Sequence, residues 1–210
     1  MNRREALSAV SVIFGGAIVG SNIFLSGCKA PSPKEGLFSA EDITFLDTVG
    51  ETIIPTSPGI PGAKEAKIGE FMKTIVTDCY TPENQKVFTD GIVQLNEESN
   101  KQYKKDFVKL TSDEQSKLLN SIDKSAKEYD KQQSEIFNKS MADYRKTHDL
   151  PSEVKTEAKR HYLTMMKQLT IWGYFTSEIG ATKAQRYVPV PGKFDGAYPY
   201  KKGDKNFGPA

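Results

Sequence analysis

The sequence predicts an all-α fold: a bundle of five or six helices followed by an extended C-terminal arm. Three observations predict it. Apolar residues recur at steps of three and four over most of the chain, and strand-like alternation never runs beyond four or five residues. Helix-capping residues stand directly ahead of the apolar stripes. Pro189, Pro191 and Pro199 then fall in a closing stretch through which no helix can run.

Residues 1–27 read as an address rather than as mature structure. Paired Arg3 and Arg4 precede an apolar run from Ala6 to Leu25, and small residues Ser26 and Gly27 stand before Cys28. Leu25-Ser26-Gly27-Cys28 resembles a bacterial lipobox, in which the cysteine thiol is lipidated and becomes the first residue. Arg3-Arg4 resembles a twin-arginine export signal, with Ala6 where that signal usually has Phe. The competing reading is a plain transmembrane helix, weakened by Gly15, Gly16, Gly20, Ser21 and Asn22. Lipid on Cys28 would hold the protein at a membrane on the periplasmic side of the envelope. The other cysteine, Cys79, is expected as a small buried hydrophobe on a helix face, with a reactive thiol as the alternative.

Residues 28–37 are a linker with Pro31 and Pro33, and the helical domain is expected over 38–183. Ser39 with Glu41 and Asp42 opens the first helix, whose stripe is Ile43, Leu46, Val49 and Ile53. Residues 54–63, with three prolines and two glycines, are a loop. Ile68, Phe71, Met72, Ile75, Val76 and Cys79 mark the second helix. Thr81-Pro82-Glu83 opens the third, with Val87, Phe88, Ile92 and Leu95 inward. Thr111 to Glu114 is a capping box, followed by Leu118, Leu119, Ile122 and Tyr129. The polar stretch 123–148 keeps a helical step through Ile136, Phe137, Met141 and Tyr144, and reads as an exposed helix or a disordered segment. Residues 154–179 carry the longest sustained period and the only tryptophan, Trp172, expected in the core. Gly180 is expected to stop that helix as a left-handed cap. The arm covers 184–210.

Charge and chemistry then exclude function classes. The chain is 27% charged with a net charge of +2. Without residues 1–27 it holds 27 basic and 26 acidic residues, so nothing electrostatic points to nucleic acid. No glycine-rich phosphate loop, Cys-x-x-Cys-His haem site or Gly-x-Ser-x-Gly elbow is present. His161, on the inner stripe of the long helix, reads as a core residue before it reads as a ligand. His148 reads as a solvated loop residue. Glu178, near a helix C-terminus, calls for a compensating partner such as Lys183. No catalytic, cofactor or metal site emerges. What the last third does hold is aromatic density, in Trp172, Tyr174, Phe175, Tyr187, Phe194, Tyr198 and Tyr200, the residue types that anchor protein interfaces.

Three stretches resemble a known family. They are Ile53-Ile54-Pro55 with Pro61-Gly62-Ala63, then Thr170-x-Trp172-Gly173-Tyr174-Phe175-Thr176-Ser177-Glu178-x-Gly180, then Tyr187-x-Pro189-x-Pro191-Gly192 with Phe194-Asp195-Gly196. They resemble the small subunit, "subunit 3", of membrane-associated gluconate 2-dehydrogenases, from about residue 39 to 200 and most thinly over 106–151. The resemblance implies a complex. A large subunit bearing FAD oxidises a sugar or sugar acid, and a cytochrome c subunit or another acceptor takes the electrons. The small subunit has no cofactor; it escorts, stabilises and tethers the large one.

On that reading the partner interface comprises Pro61, Gly62, Ala63, Tyr174, Glu178, Tyr187, Pro191, Gly192, Phe194 and Tyr198. The loop over 55–63, the end of the long helix and the arm are expected to share one face. The contrasting reading is a stand-alone ligand-binding or structural envelope lipoprotein. In its enzymatic or ligand-binding form it needs a closed pocket in which polar groups converge, around His161, Glu178 and Tyr174.

Overall fold

The computed structural model of the protein describes residues 36–147, 157–190, 192 and 195–208. The chain divides into two units, Met1–Leu37 and Phe38–Ala210, and every described helix belongs to the second. The expected lipidation at Cys28, the export residues Arg3 and Arg4, His148, Val154, Pro191 and Phe194 lie outside the described residues.

The fold is all-α. Among the described residues five α-helices run in order: α1 (Ala40–Ile53), α2 (Ile68–Cys79), α3 (Pro82–Tyr103), α4 (Ser112–Thr147) and α5 (Tyr162–Thr176). A 3-10 turn (Phe107–Lys109) precedes α4, and a π turn (Gly180–Ala184) follows α5. Among the described residues the only β pairing is two isolated bridges.

Local chemistry sets the helix starts. Ser39 and Asp42 form a reciprocal capping box at α1. Thr81 caps α3 through the Asn84 N–H, with Pro82 in the first turn, where a missing N–H costs nothing. Thr111 and Glu114 repeat the capping box at α4. The start of α2 departs from this pattern. Its cap residue, Lys67, is left-handed at φ 54° and offers no side-chain bond. Instead Asp47 of α1 reaches across and accepts the Gly69 N–H at 2.7 Å. Burial raises the Asp47 pKa against the lowering effect of that bond. Gly69 permits the approach, because a Cβ there would lie 2.4 Å from the Ile43 carbonyl oxygen.

Helix α5 is the central element. Tyr162, Leu163, Met165, Met166, Leu169, Thr170, Gly173 and Tyr174 are buried, and α1, α2, α3 and α4 all pack on it. A helix that is apolar over so wide an arc is stable only when surrounded. Its N-terminus is fastened to α4: Asp130 accepts the His161 N–H at 2.7 Å and the Thr164 hydroxyl at 2.6 Å. One turn along, Lys167 pairs with Asp123, which also meets Lys127 at 2.8 Å. Burial works to raise the Asp123 pKa, but the two ammonium groups outweigh it and hold the carboxyl below its usual range.

Six expectations are corrected here. The long helix does not begin near 154: residues 157–161 are irregular and α5 starts at Tyr162. His161 therefore lies at the N-cap, its Nδ1 accepting the Leu163 N–H at 3.2 Å, rather than on an inner stripe. Among the described residues the longest helix is α4, 36 residues, whose polar second half is rich in helix-forming Lys and Gln. Gly180 is not a left-handed cap. Helix α5 ends at Thr176, and Gly180 is needed because a Cβ would sit 1.8 Å from the Tyr174 carbonyl oxygen. Finally, Cys79 is exposed at the last position of α2, and Trp172 is 52% exposed, its ring set edge-on to Phe71 at 5.3 Å.

Candidate partner interface

The structure sorts the expected interface residues into an inward group and an outward group. The inward group forms a seam between the loop after α1 and the end of α5. Ser57-Pro58-Gly59-Ile60 is a tight turn closed by two 2.9 Å backbone bonds, with Gly59 at φ +75° in the place such a turn reserves for glycine. Glu51 of α1 holds the rest of the loop. Its carboxylate accepts the Thr56 N–H and hydroxyl at 2.8 Å each and the Lys64 N–H at 3.0 Å. Burial alone would raise its pKa; these bonds win and hold it below the ordinary value. Gly62 leaves room for that carboxylate, since a Cβ would lie 2.3 Å from it. Ala63 is fully buried against Gly50. From α5, the Tyr174 hydroxyl donates to the Pro61 carbonyl at 2.5 Å, and the ring is 1% exposed. Ser177 ties off the helix end by donating to the Tyr174 carbonyl and accepting the Gly180 N–H.

Ala63 and Tyr174 are thus buried within the chain rather than presented outward, which corrects their expected place. Pro61-Gly62-Ala63 and the stretch around Tyr174 meet because each completes the other. Their motif is a fastening between α1, the loop and α5.

The outward group begins one turn away. Ile171 and Trp172 are 47% and 52% exposed on α5, although the same helix is buried upstream. Glu178 is exposed beyond the helix end, and no ion pair holds its carboxylate among the described residues, Lys183 included. Tyr187, Val190, Tyr198, Tyr200 and Phe207 are all exposed along the arm.

The arm is irregular, but its ends are joined. The Arg186 N–H donates to the Asn206 carbonyl at 2.8 Å, and the Gly208 N–H donates to the Arg186 carbonyl at 3.1 Å. The Arg186 guanidinium lies beside the rings of Tyr198 and Phe207, 5.4 and 5.1 Å from their centroids, and donates to the Tyr198 hydroxyl. The two rings meet edge-to-face at 5.3 Å. Lys205 reaches back to the Lys183 carbonyl of the π turn. Beside this clasp is an open groove of about 490 Å³, lined by Arg186, Tyr198, Pro199, Tyr200, Lys205 and Phe207 among others. Gly192, another expected interface residue, is left-handed at φ +72°.

Sequence reasoning missed Arg186 and Phe207. No local signal marks either, because the partners of Arg186 lie a dozen and more residues downstream. The exposure of Ile171 and Trp172 is hidden by their helical period, which does not say where the surrounding helices stop.

The pocket expected around His161, Glu178 and Tyr174 does not form. His161 and Tyr174 stand at opposite ends of α5, roughly 20 Å apart at 1.5 Å per residue. His161 borders instead an open polar groove of about 410 Å³ with Gln94, Glu97, Gln102, Ser121 and Ser125. Burial lowers the His161 pKa against the raising effect of Asp130, which keeps the ring neutral and fit to accept the Leu163 N–H. Among the described residues no three His, Cys, Asp or Glu side chains gather in a metal-sized cluster. No helix among them is long and apolar enough to cross a membrane.

No curated protein and no solved structure matches the chain significantly. A family profile does: gluconate 2-dehydrogenase subunit 3 matches residues 40–192, from the first residue of α1 into the arm. That span takes in α1, the Glu51-centred loop, the whole of α5 and the Arg186 clasp residue, so the chain belongs to the gluconate 2-dehydrogenase subunit 3 family.

Proposed function

We propose that this protein is the non-catalytic small subunit of a membrane-associated, flavin-dependent sugar or gluconate dehydrogenase complex. The observation that carries the reading is family membership across residues 40–192. Its role is to escort, stabilise and tether a large FAD-bearing subunit. Arg3 and Arg4 direct export of the folded pair, and lipid on Cys28 holds it at the periplasmic face of a membrane. FAD resides in the large subunit, and a cytochrome c subunit is a further candidate partner. Partner contacts fall on Glu178, Tyr187, Gly192 and Tyr198, with Pro191 and Phe194 expected beside them, and on the exposed Ile171 and Trp172. Burial of such half-exposed rings is what a partner surface supplies.

Purification from a mild-detergent extract tests this. A stoichiometric flavoprotein that accompanies the chain supports it. A chain that elutes alone and oxidises a sugar by itself contradicts it.

A further inference from the structure

We infer that the Arg186-closed arm is a preformed docking element that grips an acidic, apolar-flanked surface on the flavoprotein partner. The inference rests on the function proposed above and names the chemistry of its contact.

Three features of the arm point the same way. First, charge is unevenly shared. Residues 184–210 carry Arg186, Lys193, Lys201, Lys202 and Lys205 against Asp195 and Asp204, a net of +3, whereas residues 28–183 sum to −2. Cations set on a mildly acidic body steer a partner of opposite sign to one place. Second, exposed rings and cations share one short stretch: Tyr198 and Tyr200 flank Pro199, and Lys201 and Lys202 follow at once, all exposed. Asp204 closes this tip into a turn, accepting the Lys201 N–H at 2.9 Å. Third, the described part of the arm is closed on itself through its own contacts. Arg186 contacts both Tyr198 and Phe207, which meet edge-to-face, and its backbone pairs with Asn206 and Gly208. Ordering flexible loops is among the larger costs of association, and a loop already closed avoids most of it.

The groove beside the clasp fits a carboxylate-bearing side chain with apolar neighbours. Its walls carry three rings, its cations are Arg186 and Lys205, and its one acid, Asp204, is engaged by the Lys201 N–H. Arg186 is a positioning residue that also offers its remaining N–H groups to the occupant, while Lys201 and Lys202 form the charged rim.

The test uses the full chain co-purified with its flavoprotein, comparing complex dissociation constants at 50 and 300 mM salt. A Lys201→Glu/Lys202→Glu/Lys205→Glu variant should bind at least tenfold more weakly at low salt, with the gap closing at high salt. Arg186→Ala should weaken binding by a similar factor with helical circular dichroism unchanged, and Arg186→Lys should recover little of it, because an ammonium lacks the planar fork that can donate to the Tyr198 hydroxyl and to the occupant at once. Binding of the triple variant within twofold of wild type at both salts overturns the inference while leaving the proposed function standing. So does retention of the wild type on phosphatidylglycerol vesicles, lost in the triple variant, when its flavoprotein affinity is unchanged; the arm then reads lipid. Absence of any flavoprotein from the wild-type preparation overturns both.

Discussion

The seam at Tyr174 and the clasp at Arg186 use the same kinds of residue to opposite ends. At the seam, a tyrosine meets a proline-rich loop, the ring is buried, and its hydroxyl donates to a backbone carbonyl. At the clasp, tyrosines again flank prolines, yet Tyr198 is 49% exposed and Tyr200 75%, and one arginine holds the group together. The difference is what stands behind each ring. Tyr174 lies in the packed interior, against the loop that follows α1. The arm follows the last helix, and there Tyr198 and Phe207 pack on each other and beside Arg186. Aromatic and proline density therefore marks two things in one chain, a fastening of the fold and a surface left for another molecule. Residue type alone does not separate them.

Substitutions break this comparison in graded steps. The largest effect belongs to the seam: Tyr174→Ala should cost about 3–5 kcal/mol, as for other buried aromatic truncations, read by chemical denaturation. An equal loss from Tyr198→Ala would erase the distinction between the two sites. Next, Gly69→Ala should cost about 1–3 kcal/mol, because its Cβ meets the Ile43 carbonyl, a backbone atom that cannot swing aside. Glu51→Gln should follow at about 1–2 kcal/mol, since the one group that accepts from three donors is replaced by a weaker acceptor.

Glu51 also sets a pH dependence. Its folded pKa lies below the ordinary 4.5, so its contribution is full above about that pH and is lost as pH falls through the lower folded value. His161 acts in the same direction at higher pH. Its folded pKa lies below 6.5, so the neutral, capping form contributes fully above that value, and stability declines as pH falls from there through the folded value. Thermal melts from pH 7.5 to 4 should show that decline in wild type and less of it in His161→Asn, which keeps a capping acceptor that does not titrate. Smallest in its effect on the fold, Trp172→Ala should cost only about 1 kcal/mol, because half the ring is already in water and the rest lies edge-on to Phe71. Its effect should appear instead in flavoprotein retention.

How much of the fold is legible in the sequence follows from how local each signal is. The caps at Ser39, Thr81 and Thr111 are readable because their partners lie three residues away. The stripes of α1, α2 and α3 are readable for the same reason. Asp47 capping the neighbouring helix is not, being 22 residues from Gly69. The start of α5 is not legible either, because Ala158 and His161 extend an apolar period into a stretch whose conformation is set by Asp130 on α4. The resemblance picks out Pro61-Gly62-Ala63 and Tyr174 together, but only the hydrogen bond spanning 113 residues between them shows why they belong together. Arg186 carries no signal, since a cation set beside two rings is made by the closing of the loop.

The claim that organises these observations is that the arm is dispensable for the fold and required for the partner. Removing residues 186–210 and measuring helical circular dichroism, melting temperature and flavoprotein co-purification on the same preparation tests it most directly. The account predicts a chain that keeps its helical signal and melts cooperatively within a few degrees of wild type, but elutes without flavin. A truncated chain that unfolds, or one that still brings the flavoprotein with it in full amount, would contradict the account.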